Sequence, residues 1–302
     1  MDLNIHSLND LFDAVTVTPP DLIGISIRNV DTVNSFSDEH FIHNNKLLIS
    51  QLREKCPNIK IVVGGAGFSI FPEDIFREIE PDFGIIGEGE EGLIQLIDKL
   101  KTGKPVEDIE GLIYRDKGSL RKTDKRHYLK DPTADYEPGI IHHYWEQCGI
   151  VNLQTKRGCP YSCVYCTYPL IEGNKIRTQN PENIVSTLKK LKSECNIDFV
   201  FFTDSVFNIQ NDYNHELADA MIEANLGISW GAYFTPHNLD NEFLELLKRS
   251  GLTHIEFGTE SLCDETLASY NKRFTFEEIC TTTSTCNKLG IHTAHFLIFS
   301  GY

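Results

Sequence analysis

The sequence lacks any run of about 18 apolar residues, so no membrane-spanning helix is expected. Its N-terminus, MDLNIHSLNDLFDAV, has no basic stretch followed by an apolar block; no secretory signal is visible, and the chain reads as cytoplasmic. A dense lysine–arginine block is also missing, and 28 basic against 44 acidic residues leave a formal net charge of −16. Such a balance repels phosphate backbones, so no nucleic-acid partner is expected. Without a secretory signal, nine cysteines do not read as a disulfide framework, which leaves metal binding or burial. Six of them, Cys56, Cys148, Cys195, Cys263, Cys280 and Cys286, stand singly and read as buried filler.

What is present is an ordinary globular composition, 40% hydrophobic and 24% charged, in a chain of 302 residues, long enough for two domains. Residues 20 to 100 alternate between short apolar runs (DLIGISIRN, KIVVGGAG, DFGIIGEGE) and segments of helical spacing (HNNKLLISQLREKC, PEDIFREIEPD, EEGLIQLIDKLKTG). This alternation predicts a parallel sheet covered on both faces. From 105 to 148 the pattern changes to a hairpin turning at Lys117-Gly118, followed by the linker KDPTADYEPG. The domains are therefore expected at 1–104 and 149–302, with 105–148 as hairpin and linker.

From 150 the alternation resumes through five strands, GIVNLQTKRG, DFVFFTD, ISWGAYFT, THIEFGTE and HTAHFLIFS. The helix starts are well marked: Asn180 before Pro181, Asp240, and Thr275 with Glu278 as a capping box. Five strands with intervening helices predict part of a βα barrel, with its chemistry at the carboxyl ends of the strands.

Directly after the first of these strands stands RGCPYSCVYCTYPL, with Cys159, Cys163 and Cys166. A structural zinc site wants four ligands, and Cys148 or the His142-His143 pair could supply the fourth. An iron–sulfur cube usually takes four thiolates at other spacings. A cube held by three keeps one iron open for a small molecule.

The Cys-x3-Cys-x2-Cys spacing, with Tyr165 before the last cysteine, resembles the signature of the radical SAM superfamily, and the resemblance covers residues 150 to 302. It implies a 4Fe-4S cluster on Cys159, Cys163 and Cys166 whose open iron binds S-adenosylmethionine (SAM), which is then cleaved reductively. Tyr165 would lie against the adenine. Asp204 and Ser205, in FFTDS, stand where many members carry a Gly-Gly-Glu motif for the methionine amino group. Glu260, in FGTES, is similar to a carboxylate of the cobalamin-dependent branch that binds the ribose or methionine moiety. Lys156 and Arg157 flank the loop, where cations would stabilise an anionic cluster. His237 reads as a satisfied group at a strand end, and His40 and His43 as solvated.

The glycine-rich strand ends of the N-terminal half fit a nucleotide, a flavin or no ligand when taken alone. Together with the downstream motif, VVGGAG…PE and IIGEGEEGL are similar to the cobalamin-binding domain of one radical SAM class. That resemblance implies cobalamin against Arg28, Gly64, Gly65, Gly67, Gly87 and Glu88. The expected fold is thus α/β: a partial Rossmann-like parallel sheet of cobalamin-binding type, then a partial (βα)6 radical SAM barrel. Only three of five usual strands are visible in the first half, and the last barrel strand is missing, so the chain reads as a fragment truncated at both ends. The implied activity is a cobalamin-dependent methyl transfer to an unactivated carbon. Its substrate would be a small or lipid-like molecule and its electron donor a flavodoxin or ferredoxin. A cobalamin-free or non-methylating radical SAM enzyme, and an iron–sulfur electron-transfer or structural metal-binding module, are the alternatives. No catalytic residue is assignable.

Overall fold

The computed structural model describes residues 1–32 and 41–299. Residues 33–35 of the loop RNVDTVNS, His40 and residues 300–302 lie outside the described residues. The chain divides into two compact units, Met1–Leu129 with Leu170–Glu172, and Lys130–Pro169 with Gly173–Tyr302.

The first unit is built on one sheet of β1 (Leu22–Ser26), β2 (Lys60–Gly64), β3 (Phe83–Ile85), β4 (Leu112–Asp116) and β5 (Ser119–Lys122), in that order. β1, β2 and β3 run parallel, as the alternation predicts. In β2, Ile61 and Val63 pack with residues of the helices Phe41–Lys55 and Pro72–Ile79, while Val62 joins Ile85 and Leu96 on the other face. Burial on both faces is why this strand reads as an unbroken apolar run. Lys117 and Gly118 both take positive φ, 48° and 83°, as a tight two-residue hairpin turn requires.

That hairpin is not a connector between domains. β4 pairs antiparallel with β3 and buries Leu112 and Ile113 completely, so the segment completes the first sheet. A strand's own residues carry its face pattern but not its partner, which is why the sequence places the hairpin outside.

The second unit holds β6 (Val151–Leu153), β7 (Lys156–Arg157), β8 (Arg177–Thr178), β9 (Phe199–Phe202), β10 (Ser229–Phe234), β11 (Leu252–Glu260) and β12 (His292–Leu297). β6, β9, β10, β11 and β12 form a parallel sheet in that spatial order, while β7 and β8 pair with each other antiparallel. One side of the sheet, with Val200, Phe202, Trp230, Ala232 and Phe257, packs against helix residues such as Leu188, Leu217 and Leu244. Each buried valine, leucine or phenylalanine there contributes roughly 1.5–3 kcal/mol by leaving water.

The helix starts agree with the sequence. Asn180 accepts from the Glu182 N–H, Asp240 from that of Phe243, and Thr275 and Glu278 form a reciprocal box. The supposed linker, however, runs into a helix, Pro138–Cys148, whose first turn is capped by Glu137 at 2.7 Å from the Ile140 nitrogen. No helix among the described residues is long and apolar enough to cross a membrane.

Candidate active site

Cys159, Cys163 and Cys166 lie on the loop after β7, which the surrounding chain pins down. The Cys159 N–H donates to the Gly173 carbonyl at 3.1 Å, and the Asn271 amide reaches both the carbonyl and the hydroxyl of Ser162, at 3.0 and 2.6 Å. The loop enters through Gly158, at φ +90°, where a Cβ would stand 2.1 Å from the Lys175 carbonyl oxygen. Only glycine fits there.

All three cysteines line one cavity of about 330 Å³, together with Tyr165, Ser205 and Glu260. Among the described residues, no group of three or more histidine, cysteine, aspartate or glutamate side chains converges on a point where a single ion could sit. A tetrahedral zinc would hold its thiolates within about 4 Å of one another, given Zn–S bonds of about 2.3 Å. A cube gives each thiolate its own iron, and three thiols lining one cavity are a donor set such a group could use. The fourth-ligand candidates do not line the cavity: Cys148 is exposed, and His142 pairs with Glu146 at 3.3 Å.

Burial pushes the Cys159 thiol above its ordinary pKa, and the Tyr161 backbone N–H beside it works against that rise; the Ser205 hydroxyl donates to the Gly158 carbonyl at 2.9 Å. Burial likewise raises Cys163, with the Lys272 ammonium opposing it. Cluster assembly must therefore displace protons from thiols that favour keeping them.

Across the cavity, Glu260 ends β11 at φ +64°, a left-handed conformation costly for a residue with a side chain. Its Oε1 accepts from the Tyr165 hydroxyl at 2.6 Å and from the Lys272 ammonium at 3.2 Å. Lys272 also donates to the Gly258 carbonyl at 3.1 Å. Burial and the Glu260 carboxylate together hold the Tyr165 hydroxyl protonated well above its usual range. Tyr165, Ser205 and Glu260 thus line the same cavity as the cysteines.

Asp204 does not join them. It is fully buried, and its oxygens accept from the backbone N–H groups of Thr155 and Lys156, the Thr155 hydroxyl and the Lys156 ammonium, at 2.5–3.1 Å. A carboxylate so fully engaged has nothing left for a methionine ammonium. Lys156 is correspondingly turned inward, 1% exposed, bonded to Asn214 and seated over the Phe207 ring, while Arg157 reaches Gln154. The cations near the cysteines are instead Lys272 and Arg273, the latter over the Tyr161 ring. Sequence reading missed both. The available signal was the aromatic-flanked pair in YNKRF, twelve residues beyond Glu260.

His237 pairs with Glu278 at 3.0 Å, a satisfied group as expected, and His43 is exposed. Cys195 and Cys286 are buried, and burial pushes Cys286 up to about 11. Cys148, Cys263 and Cys280 are exposed, so the filler reading fails for them.

In the first unit, Arg28, Gly64, Gly65, Gly67 and Gly87 gather at the carboxyl ends of β1, β2 and β3. Ser69 links them, donating to the Gly65 carbonyl and accepting from the Gly87 N–H. A Cβ at Gly65 or Gly67 would collide with the backbone of Ile27 or Arg28, so these glycines serve the chain's own packing. Glu88 is turned inward, 8% exposed, and accepts from the Leu129 N–H at 2.9 Å. Its expected contact with cobalamin is therefore not available in this arrangement. Arg28 is exposed at this face, and Gly64 and Gly87 are partly exposed beside it.

A family model described as the radical SAM superfamily matches residues 153–301, and one described as a B12 binding domain matches residues 1–97. The chain belongs to the radical SAM superfamily, in the class with an N-terminal B12-binding domain. Among its relatives is an uncharacterized methyltransferase of Pyrococcus horikoshii, 25% identical over 294 residues, covering 95% of this chain and 61% of the relative. Another is the anaerobic magnesium-protoporphyrin IX monomethyl ester cyclase of Cereibacter sphaeroides, 27% identical over 239 residues, with coverage of 74% and 39%. The solved radical S-adenosylmethionine methyltransferase TsrM of Kitasatospora setae superposes with a TM-score of 0.89 at 22% identity, over 98% of this chain and 60% of its own. This radical SAM chain thus shares the fold of that enzyme and spans about 60% of its length.

Proposed function

We propose that this chain forms the cofactor-holding part of a cobalamin-dependent radical SAM enzyme, a methyltransferase acting on an unactivated carbon of a small or lipid-like molecule. The observation that carries the reading is the single cavity lined by all three thiols together with Tyr165 and Glu260.

Cys159, Cys163 and Cys166 would hold the cluster, and the strand ends at Arg28, Gly64 and Gly87 would hold cobalamin. When bound, the cluster supplies the electron that cleaves SAM, and cobalamin the methyl group. The chain's own residues position and exclude. Ser205 and Asn271 fix the loop that presents the thiols. Tyr165 offers a ring face to the adenine, and Lys272 holds the Glu260 carboxylate where a ribose diol or an ammonium could donate to it. Aromatic side chains line much of the cavity, and closing it over a bound ligand would strengthen each of these contacts. A cytoplasmic flavodoxin or ferredoxin is the fitting electron donor. Kinship with a cyclase favours, as a second reading, a radical rearrangement in place of methyl transfer.

The test is electron paramagnetic resonance of anaerobically reconstituted, reduced protein with and without SAM. A cubane signal that shifts on adding SAM and disappears in Cys163→Ala is expected. A signal indifferent to SAM, or zinc in place of iron, would overturn the reading. Titration with hydroxocobalamin, followed by its visible spectrum, separates the cobalamin assignment from the cluster's.

A further inference from the structure

The parallel sheet of the second unit has two faces of opposite character. The side chains that join the helix-packed core alternate with residues that must point the other way, since successive side chains of a strand face opposite sides. A barrel interior that serves purely as a core is filled with valine, isoleucine and leucine. Among the described residues, the inward positions of β10, β11 and β12 hold none of these.

Three rings stand on this face, Tyr233 of β10, Phe296 of β12 and Phe201 of the neighbouring β9. Phe201 meets Tyr233 edge-on at 4.9 Å, and Tyr233 lies 6.3 Å from Phe296. Small residues pack beside them. Gly231 stands across from His254, and a Cβ on it would come within 3.1 Å of the Phe201 ring; Ala294 stands across from Glu256. Tyr233 and Phe296 also line the cavity of the cysteines, so this wall continues from it.

Two polar side chains occupy the same face. His254 Nε2 lies 3.3 Å from Glu256 Oε1, and the pair keeps 32% and 24% of its side-chain surface exposed. Glu256 is registered directly against Tyr233. A carboxylate beside a ring, with small neighbours, is chemistry for recognising a positive or N–H-bearing group next to a flat apolar one.

We propose that this wall is the substrate floor and selects a small, ring-bearing molecule carrying an ammonium or N–H group. The ring lies against Tyr233 and Phe296, and the donor lies on Glu256, with His254 holding that carboxylate in place. What is done to the molecule rests on the radical SAM reading; its binding does not.

The experiment titrates reconstituted protein with phenethylamine and with phenylacetate, which share a ring and differ in charge, by calorimetry. Phenethylamine is expected to bind about tenfold or more tighter than phenylacetate. Glu256→Gln is expected to erase most of that preference, and Tyr233→Ala to weaken both probes, with the SAM-dependent cluster signal of Glu256→Gln retained as proof of a folded site. Equal affinities, no binding of either probe, or an unchanged preference in Glu256→Gln would overturn the proposal. A cluster that ignores SAM while phenethylamine still binds through Glu256 would sink the radical reading and leave the site. A SAM-responsive cluster with indifferent probes would do the reverse.

Discussion

Lys272 supports three groups at once: it bonds Glu260 and the Gly258 carbonyl and lies 5.3 Å from the Tyr165 ring. Gly258 gives the pair room. A Cβ there would stand 3.2 Å from the Glu260 carboxylate and 3.7 Å from the Lys272 ammonium. Hydrogen bonds to charged groups contribute about 1.5–3 kcal/mol each, and a part-buried carboxylate that loses its cation turns toward other donors. Lys272→Met is expected to weaken SAM binding by roughly tenfold to a hundredfold, with Lys272→Arg recovering part of it. Equilibrium dialysis of SAM on the reconstituted protein measures this, and an unchanged affinity would show that Glu260 needs no cation. Glu260 was legible because it ends a strand in a recognisable setting. Lys272 was not, because nothing in a chain of residues shows which ammonium folds back over which carboxylate.

At the scale of elements, the junction between β6, β7 and the end of β9 carries the cysteine loop. Asp204 ties the backbone of Thr155 and Lys156 to β9, and Ser205 ties Gly158, one residue before the first cysteine. Burial pushes the Lys156 pKa down, and the Asp204 carboxylate, bonded to its ammonium beside Asn214, opposes that fall. Breaking a buried pair by removing one partner costs about 3–5 kcal/mol. Lys156→Met is expected to destabilise the second unit by that order. Both tryptophans, Trp145 and Trp230, lie in this unit, so urea unfolding followed by their fluorescence reports it separately from the first. A midpoint unmoved by the substitution would show the pair to be energetically idle. The same strand end misled sequence reading for a physical reason: carboxylates at strand ends of such folds hold ligands, and only burial distinguishes one that holds the backbone instead.

Across the whole molecule, the two units meet acid differently. In the first, Glu110 is held down to about 2 by the His127 side chain and by the backbone N–H groups of His127 and Arg126. Its contribution is present above its ordinary pKa of 4.5 and is lost as pH falls toward 2. In the second, burial lowers the pKa of His295, which bonds the Thr259 hydroxyl at 2.6 Å and stacks on Phe257. A histidine depressed on folding adds stability above its unfolded value of 6.5, and that stability drains as pH falls through the folded value. The stability of the parent chain relative to His295→Gln is therefore expected to shrink between pH 7.5 and 5, read by tryptophan fluorescence. A constant difference would show that the imidazole titrates as freely folded as unfolded.

Local signals determined much of this protein by themselves. Alternating apolar runs and caps placed the parallel strands and helix starts, because burial on two faces and orphan helix N–H groups leave their mark on adjacent residues. The Cys159, Cys163 and Cys166 spacing pointed to its chemistry because a loop wrapped around a cluster is itself local. Tertiary structure decided the rest. It joined the hairpin to the first sheet, turned Asp204, Lys156 and Glu88 inward, and brought Lys272 to Glu260 and His254 with Glu256 onto the inner wall. Each of these depends on which distant residues share a face and on which charges burial forces into pairs, and neither is written in a residue's neighbours along the chain.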